Sequence, residues 1–391
     1  MSEPAGAGGP AAVRRAAERI GACVAAPAAD DVDRHARFPA EAVEALRAEG
    51  LLGAAVPRAF GGLGLDLREL ADVAQVLAQG CASAAMVWAM HQIQVACLAC
   101  HGLGAPFFEA YLREVAERQR LIASVTSEVG VGGDIRTSIA AVEQRGNAGR
   151  LEKHGATVSY GAQADAYLVT ARRRPEAAGS DQVFVLLRRD DTALEQTGVW
   201  DTLGMRGTCS PPFRIAATIA PEQILPVPFA EICARTLVPV SHILWSACWL
   251  GIATDAVRRA GGCVRDRARR GAGAAGGDAR LADVTGRLQQ LRAGVHAAGG
   301  AYDALRAAGD DGALSGLGFA IEMNQLKVAS SELVVQIVGQ ALAICGTAGY
   351  AAAGPYSVAR HLRDAYSAGC MISNERLRTA SATMLLAHKG L

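Results

Sequence analysis

The chain has 391 residues, 51% hydrophobic and 20% charged, with a formal net charge of +1. That length suits two or three well-covered cores, and a near-neutral balance without basic blocks argues against nucleic acid as a main partner. No apolar run in the sequence reaches the roughly 18 residues a membrane span requires, and residues 1–12 carry no signal-peptide pattern. The expectation is a cytoplasmic protein, away from membranes, with a disordered start over residues 1–12.

Helical spacing fills residues 13–120. Ala42, Val43 and Leu46 precede Gly50, and Leu70, Val73, Val76 and Leu77 precede Gly80. Between them, residues 56–64 are rich in breakers. Gly61-Gly62-Leu63-Gly64 lies between helices, so it reads as a turn rather than a phosphate cradle. Over residues 121–228 the pattern shortens to strands, expected at 122–125, 166–170, 183–187 and 213–219. Residues 229–391 are helical again, at 243–260, 281–307 and 317–345, with a last helix starting near Asn374. The Gly/Ala-rich stretch 271–277 separates the first two.

This order predicts an α+β chain, mostly α. A Rossmann unit is excluded, because no G-x-G-x-x-G joins a strand to a helix. The ten cysteines are scattered. Cys97 and Cys100 read as small residues on a buried helix rather than a zinc or redox pair, and no metal site is expected. The arginines between 265 and 270 read as a solvated helix face.

Five segments carry a family pattern in order. Gly50-Leu51-Leu52-Gly53 leads to Pro57 and Gly61-Gly62. Thr126-Ser127-Glu128 leads to Gly132-Gly133-Asp134. Leu203-Gly204-Met205-Arg206-Gly207-Thr208, Leu281-Ala282-Asp283-Val284 with Arg287-Leu288, and Arg363-Asp364-Ala365 follow. Over roughly residues 40 to 390 the chain resembles the acyl-CoA dehydrogenases. The resemblance implies an N-terminal helical domain, a middle β-barrel-like domain and a C-terminal four-helix bundle. It also implies FAD between the last two and a homotetramer or dimer. The implied reaction is α,β-dehydrogenation of an acyl-CoA or acyl-carrier-protein thioester, in which a carboxylate takes the α-proton and the flavin a hydride. An electron-transfer flavoprotein or a flavin reductase is the implied redox partner.

By the same resemblance, Thr126, Ser127, Thr157, Ser159, Arg267, Gly346, Thr347 and Asn374 are the cofactor candidates, and Gly133, Ser241 and His242 stand at substrate positions. The chain departs from the pattern where the chemistry sits. The family's base Glu falls on Ile372, and its alternative helix position falls on Ser241, followed by His242. A tryptophan that covers the flavin is replaced within Thr157-Val158-Ser159, and a substrate-contacting serine falls on Gly133. Glu375 and His242 are the replacement bases to weigh. Against them, Glu375 reads more simply as a helix-dipole residue, and a lone histidine on an apolar helix, as His242 is, more often as a satisfied core residue. His154 and His361 read as surface or turn residues. Three functions follow: a thioester dehydrogenase of a biosynthetic kind, a flavin monooxygenase on the same fold, which needs no α-carbon base, and a non-catalytic member.

Overall fold

The structure, a computed structural model, describes residues 9–270 and 278–388. The helical start comprises α1 (Gly9–Ile20), α2 (Ala26–Arg34), α3 (Ala40–Ala48), α4 (Leu67–Gly80), α5 (Ala82–His101) and α6 (Pro106–Arg118). Helix α1 begins at Gly9, so residues 9–12 of the expected disordered start are helical, while residues 1–8 lie outside the described residues. Helix α4 opens on a capping box: Glu69 N–H donates to Asp66 Oδ1 (2.8 Å) and Asp66 N–H to Glu69 Oε2 (3.0 Å). Before it, the N–H groups of Gly61, Gly62, Leu63 and Gly64 all donate to carbonyls of residues 53–58. No donor of that turn is left to hold a phosphate.

The middle of the chain forms β1 (Ile122–Val125), β2 (Val142–Arg145), β3 (Ala148–Gly155), β4 (Ala166–Arg172), β5 (Gln182–Arg188), β6 (Thr192–Gln196) and β7 (Phe213–Ile219). They make two small sheets, ordered β1-β4-β5 and β2-β3-β7-β6. Strand β1 runs parallel to β4 and every other pairing is antiparallel. Strands β2, β3 and β6 were not expected from the sequence. Strand β3 does alternate, with Gly149, Leu151 and Lys153 turned inward, but a lysine at an inward position hides the period. Its ammonium is satisfied inside by Thr170 O (2.8 Å), Thr170 Oγ1 (2.7 Å) and Glu128 (3.3 Å).

The C-terminal part holds α7 (Phe229–Ile232), α8 (Val238–Arg269), α9 (Ala279–Ala308), α10 (Asp311–Leu314), α11 (Leu317–Cys345), α12 (Thr347–Tyr350), α13 (Ala359–Cys370) and α14 (Asn374–Ala387). The expected break at residues 271–277 lies outside the described residues. Helix α8 is central, packed on α11, α4 and α9. A Cβ on Gly251 would stand 2.3 Å from Gln75 O, so α4 and α8 cross at backbone distance there.

Three helical stretches, Ala82–His101, Phe229–Arg269 and Leu317–Cys345, are long and apolar enough by length and composition to cross a membrane. This corrects the expectation that no run reaches that length. The apolar windows of the first two are 83% and 89% buried in the fold, so packing accounts for their apolarity, whereas that of the third is 44% buried.

Candidate active site

Two of the family segments meet across the fold. Met205 N–H donates to Asp364 Oδ1 (2.6 Å), and a Cβ on Gly204 would stand 2.2 Å from Arg363 O. Burial pushes the Asp364 carboxyl up to about 6. From this joint a row of hydroxyls runs along the β sheets. Thr208 Oγ1 donates to Met205 O (2.9 Å) and lies 2.9 Å from Ser210 Oγ, which donates to Ser159 Oγ (2.8 Å). Ser127 Oγ donates to Thr157 O (2.7 Å) and accepts from Thr157 N–H (3.0 Å), and Thr126 Oγ1 lies 3.4 Å from Ser124 Oγ. Thr157 and Ser159, two residues apart, therefore tie Ser127 and Ser210 to one short segment.

Six non-glycine residues take left-handed backbone among the described residues, Ala36 and Gln119 outside the segments above. Tyr160 (φ 43°), Met205 (φ 53°), Cys209 (φ 44°) and Ile372 (φ 53°) all adopt left-handed conformations without being glycine, and such residues gather at functional sites.

At the family's base position, Ile372 is held by its backbone. Its carbonyl accepts from Lys327 Nζ (2.6 Å), which also donates to Asn374 Oδ1 (2.8 Å). Ser331 Oγ completes the Asn374 amide (3.0 Å). Lys327 lies 5.8 Å from the Trp249 ring centroid, and burial lowers its ammonium to about 8. Sequence reasoning missed Lys327, although the signal existed: it is one of only three lysines in the chain and stands in the apolar α11.

Neither proposed base lines this site. The Glu375 side chain is 82% exposed and pairs with Arg378 (2.8 Å). His242 is buried between α8 and α11, with Nδ1 on Met323 O (3.0 Å), and burial lowers it to about 4. Ser241 Oγ donates back to Leu237 O of the preceding turn (2.5 Å). His154 is exposed. His361, read from sequence as a surface or turn residue, lies in α13 and is 4% exposed, with Nε2 on Asp255 Oδ2 (2.7 Å).

A second group gathers at the end of α11. Arg267 donates to Ile344 O and to Cys263 Sγ (3.0 Å), beside the exposed Gly346 and Thr347. Gly346 (φ 62°) has open space where a Cβ would stand. Across the fold, Arg376 of α14 donates to Gly132 O and Gly133 O, which joins the Gly133 turn to the segment holding Ile372 and Asn374.

These residues fit a flavin. The neutral hydroxyls of Thr126, Ser127, Thr157 and Ser159 suit the carbonyl and nitrogen edge of the ring. An arginine beside an open glycine backbone suits its phosphate.

Comparison with known proteins agrees. Residues 11–105 match the acyl-CoA dehydrogenase N-terminal domain and residues 234–371 the C-terminal domain. The L-evernosamine nitrososynthase of a Micromonospora species is 30% identical over 361 residues, 88% of this chain and 82% of that one. The amino sugar nitrososynthase DnmZ of Streptomyces peucetius is 28% identical over 356 residues, 87% of this chain and 84% of that one. The solved structure of KijD3 in complex with FMN and a dTDP-linked 3-amino-4-keto sugar shares the fold. It has a TM-score of 0.80 and 23% identity, over 98% of this chain and 95% of that one.

Proposed function

The chain belongs to the acyl-CoA dehydrogenase family of flavin-dependent oxidoreductases, and on that premise we propose that it oxygenates the amine nitrogen of an amino sugar carried on a nucleoside diphosphate. The observation that carries this reading is the lack of a carboxylate at either family base position. Ile372 occupies one, Ser241 the other, and Glu375 points to solvent beside Arg378. Taking a proton α to a thioester needs a base within about 3 Å of it. Oxygenating an amine does not, because the nitrogen lone pair is itself the nucleophile.

The balance is amine, O2, two electrons and two protons to hydroxylamine and water, with NAD(P)H and a flavin reductase as the source of electrons. When bound, the flavin supplies the reductive activation of oxygen. The hydroxyls of Ser127, Thr157 and Ser159 would hold the ring edge, and Lys327 fixes the turn at Ile372 and Asn374. The two nitrososynthase relatives support an amine substrate. Thioester dehydrogenation, the first expectation from sequence, has no observation of the site in its favour. The half-exposed apolar α11 supports a homo-oligomer.

The test is to incubate flavin-loaded protein with a reductase, NAD(P)H and a dTDP-linked amino sugar while following oxygen uptake and hydroxylamine by mass spectrometry. Amine-dependent product is expected. Bleaching of the flavin by an acyl thioester alone, without air, would sink the proposal and restore a dehydrogenase.

A further inference from the structure

The guanidinium of Arg376 crosses from α14 to the β sheets and donates to the carbonyls of Gly132 and Gly133. Among the described residues it has no carboxylate partner, whereas Arg378, two positions on, pairs with both Glu332 and Glu375. A guanidinium carries five N–H donors in a rigid fork. Here it meets two neutral carbonyls and keeps an uncompensated charge. The charge stands between two parts of the site: the loop that begins at Ser127, and the Ile372–Asn374 turn held by Lys327.

Gly133 is where the family resemblance puts a serine. A Cβ there would stand 3.3 Å from Arg376 Nη1, a tighter approach than ordinary contact. The missing side chain at Gly133 is what lets the guanidinium seat against the backbone there. Gly130 (φ 96°), Gly132 (φ 60°) and Gly133 (φ 79°) all lie in the left-handed region, which leaves the turn free of Cβ strain where it faces the guanidinium.

We propose that Arg376, seated against Gly133, is the residue that selects a diphosphate-bearing substrate, whose phosphate oxygens replace the two glycine carbonyls as acceptors. A forked guanidinium–phosphate pair adds the attraction of opposite charges and a matched bidentate geometry, which two neutral carbonyls do not supply, so the exchange runs toward the ligand. The inference rests on the reading of a nucleoside-diphosphate-linked amine and adds the residue that recognises it.

Calorimetric titration of the flavin-loaded protein tests it, with thymidine diphosphate and inorganic pyrophosphate as probes. Thymidine diphosphate is expected to bind the wild type. Arg376→Gln and Gly133→Ser should each weaken it by about tenfold or more, and Arg376→Lys should weaken it less, with flavin absorbance unchanged throughout. Pyrophosphate binding as tightly as the nucleotide, and equally sensitive to Arg376→Gln, upholds the assignment and places recognition on the phosphates alone. A wild type that binds neither probe overturns it, as does Arg376→Gln binding like wild type. Displacement of the flavin by either probe also overturns it, since Arg376 would then serve the cofactor. The readout is binding, so Arg376-dependent affinity without amine oxygenation would sink only the proposed reaction.

Discussion

Ile372 holds φ 53°, a conformation that costs a β-branched residue on the order of 1–3 kcal/mol and persists only where neighbours enforce it. Lys327 is the enforcing neighbour. Lys327→Met leaves the Ile372 carbonyl without its donor and Asn374 Oδ1 with Ser331 Oγ alone (3.2 Å), with an expected loss of about 2–3 kcal/mol. Urea midpoints at unchanged m would show it, and flavin content should fall with them. The buried histidines set a pH limit. Burial lowers His91, His101 and His242 from 6.5 to about 4, so the fold keeps them neutral while the unfolded chain takes protons below 6.5. Their contribution is complete above pH 6.5 and is lost as pH falls towards 4, by at most about 3 kcal/mol each. Urea midpoints should drop between pH 7 and 4.5, and His91→Gln should flatten that slope. A slope unchanged by His91→Gln would rule that histidine out. The sequence identified the residue types at the base positions. It could not tell that Glu375 faces water or that His242 faces the core, because both facts depend on which helix packs behind them.

Helices with one wet face were readable from spacing, and α4, α9 and α14 lie close to where their periods end. Helix α5 was expected only as a buried helix around Cys97 and Cys100, without bounds, because nearly every position along it is buried and no polar face remains to mark a period. The α4–α8 crossing depends on a missing Cβ. Gly251→Ala drives a methyl into Gln75 O and Ala78 Cβ, an overpacking expected to cost about 1–3 kcal/mol. Thermal melts would register it as a loss of several degrees. Gly286→Ala on α9 meets nothing within 4 Å and should be neutral or gain up to about 1 kcal/mol from helix propensity. Equal melting of the two variants would refute the close crossing.

For the molecule as a whole, the joint between the β sheets and the helical bundle decides whether a site exists. Gly204 against Arg363 O, and Met205 N–H on Asp364, bring together segments about 160 positions apart. Gly204→Ala should separate the two parts. We expect normal far-ultraviolet circular dichroism but poor retention of flavin, seen as a low ratio of visible to 280 nm absorbance. Full flavin occupancy in that variant would remove the joint from the account.

By itself, the sequence determined the family, the order of helices and sheets, and the loss of a carboxylate from both base positions, because motifs and periodicities are local patterns along the chain. Only the tertiary structure decided that Lys327 holds the Ile372 turn, that Arg376 lies against Gly133, and that His361 is buried on Asp255. Those are pairings of side chains far apart in sequence, and burial and partner are properties of the packed neighbourhood rather than of any residue alone.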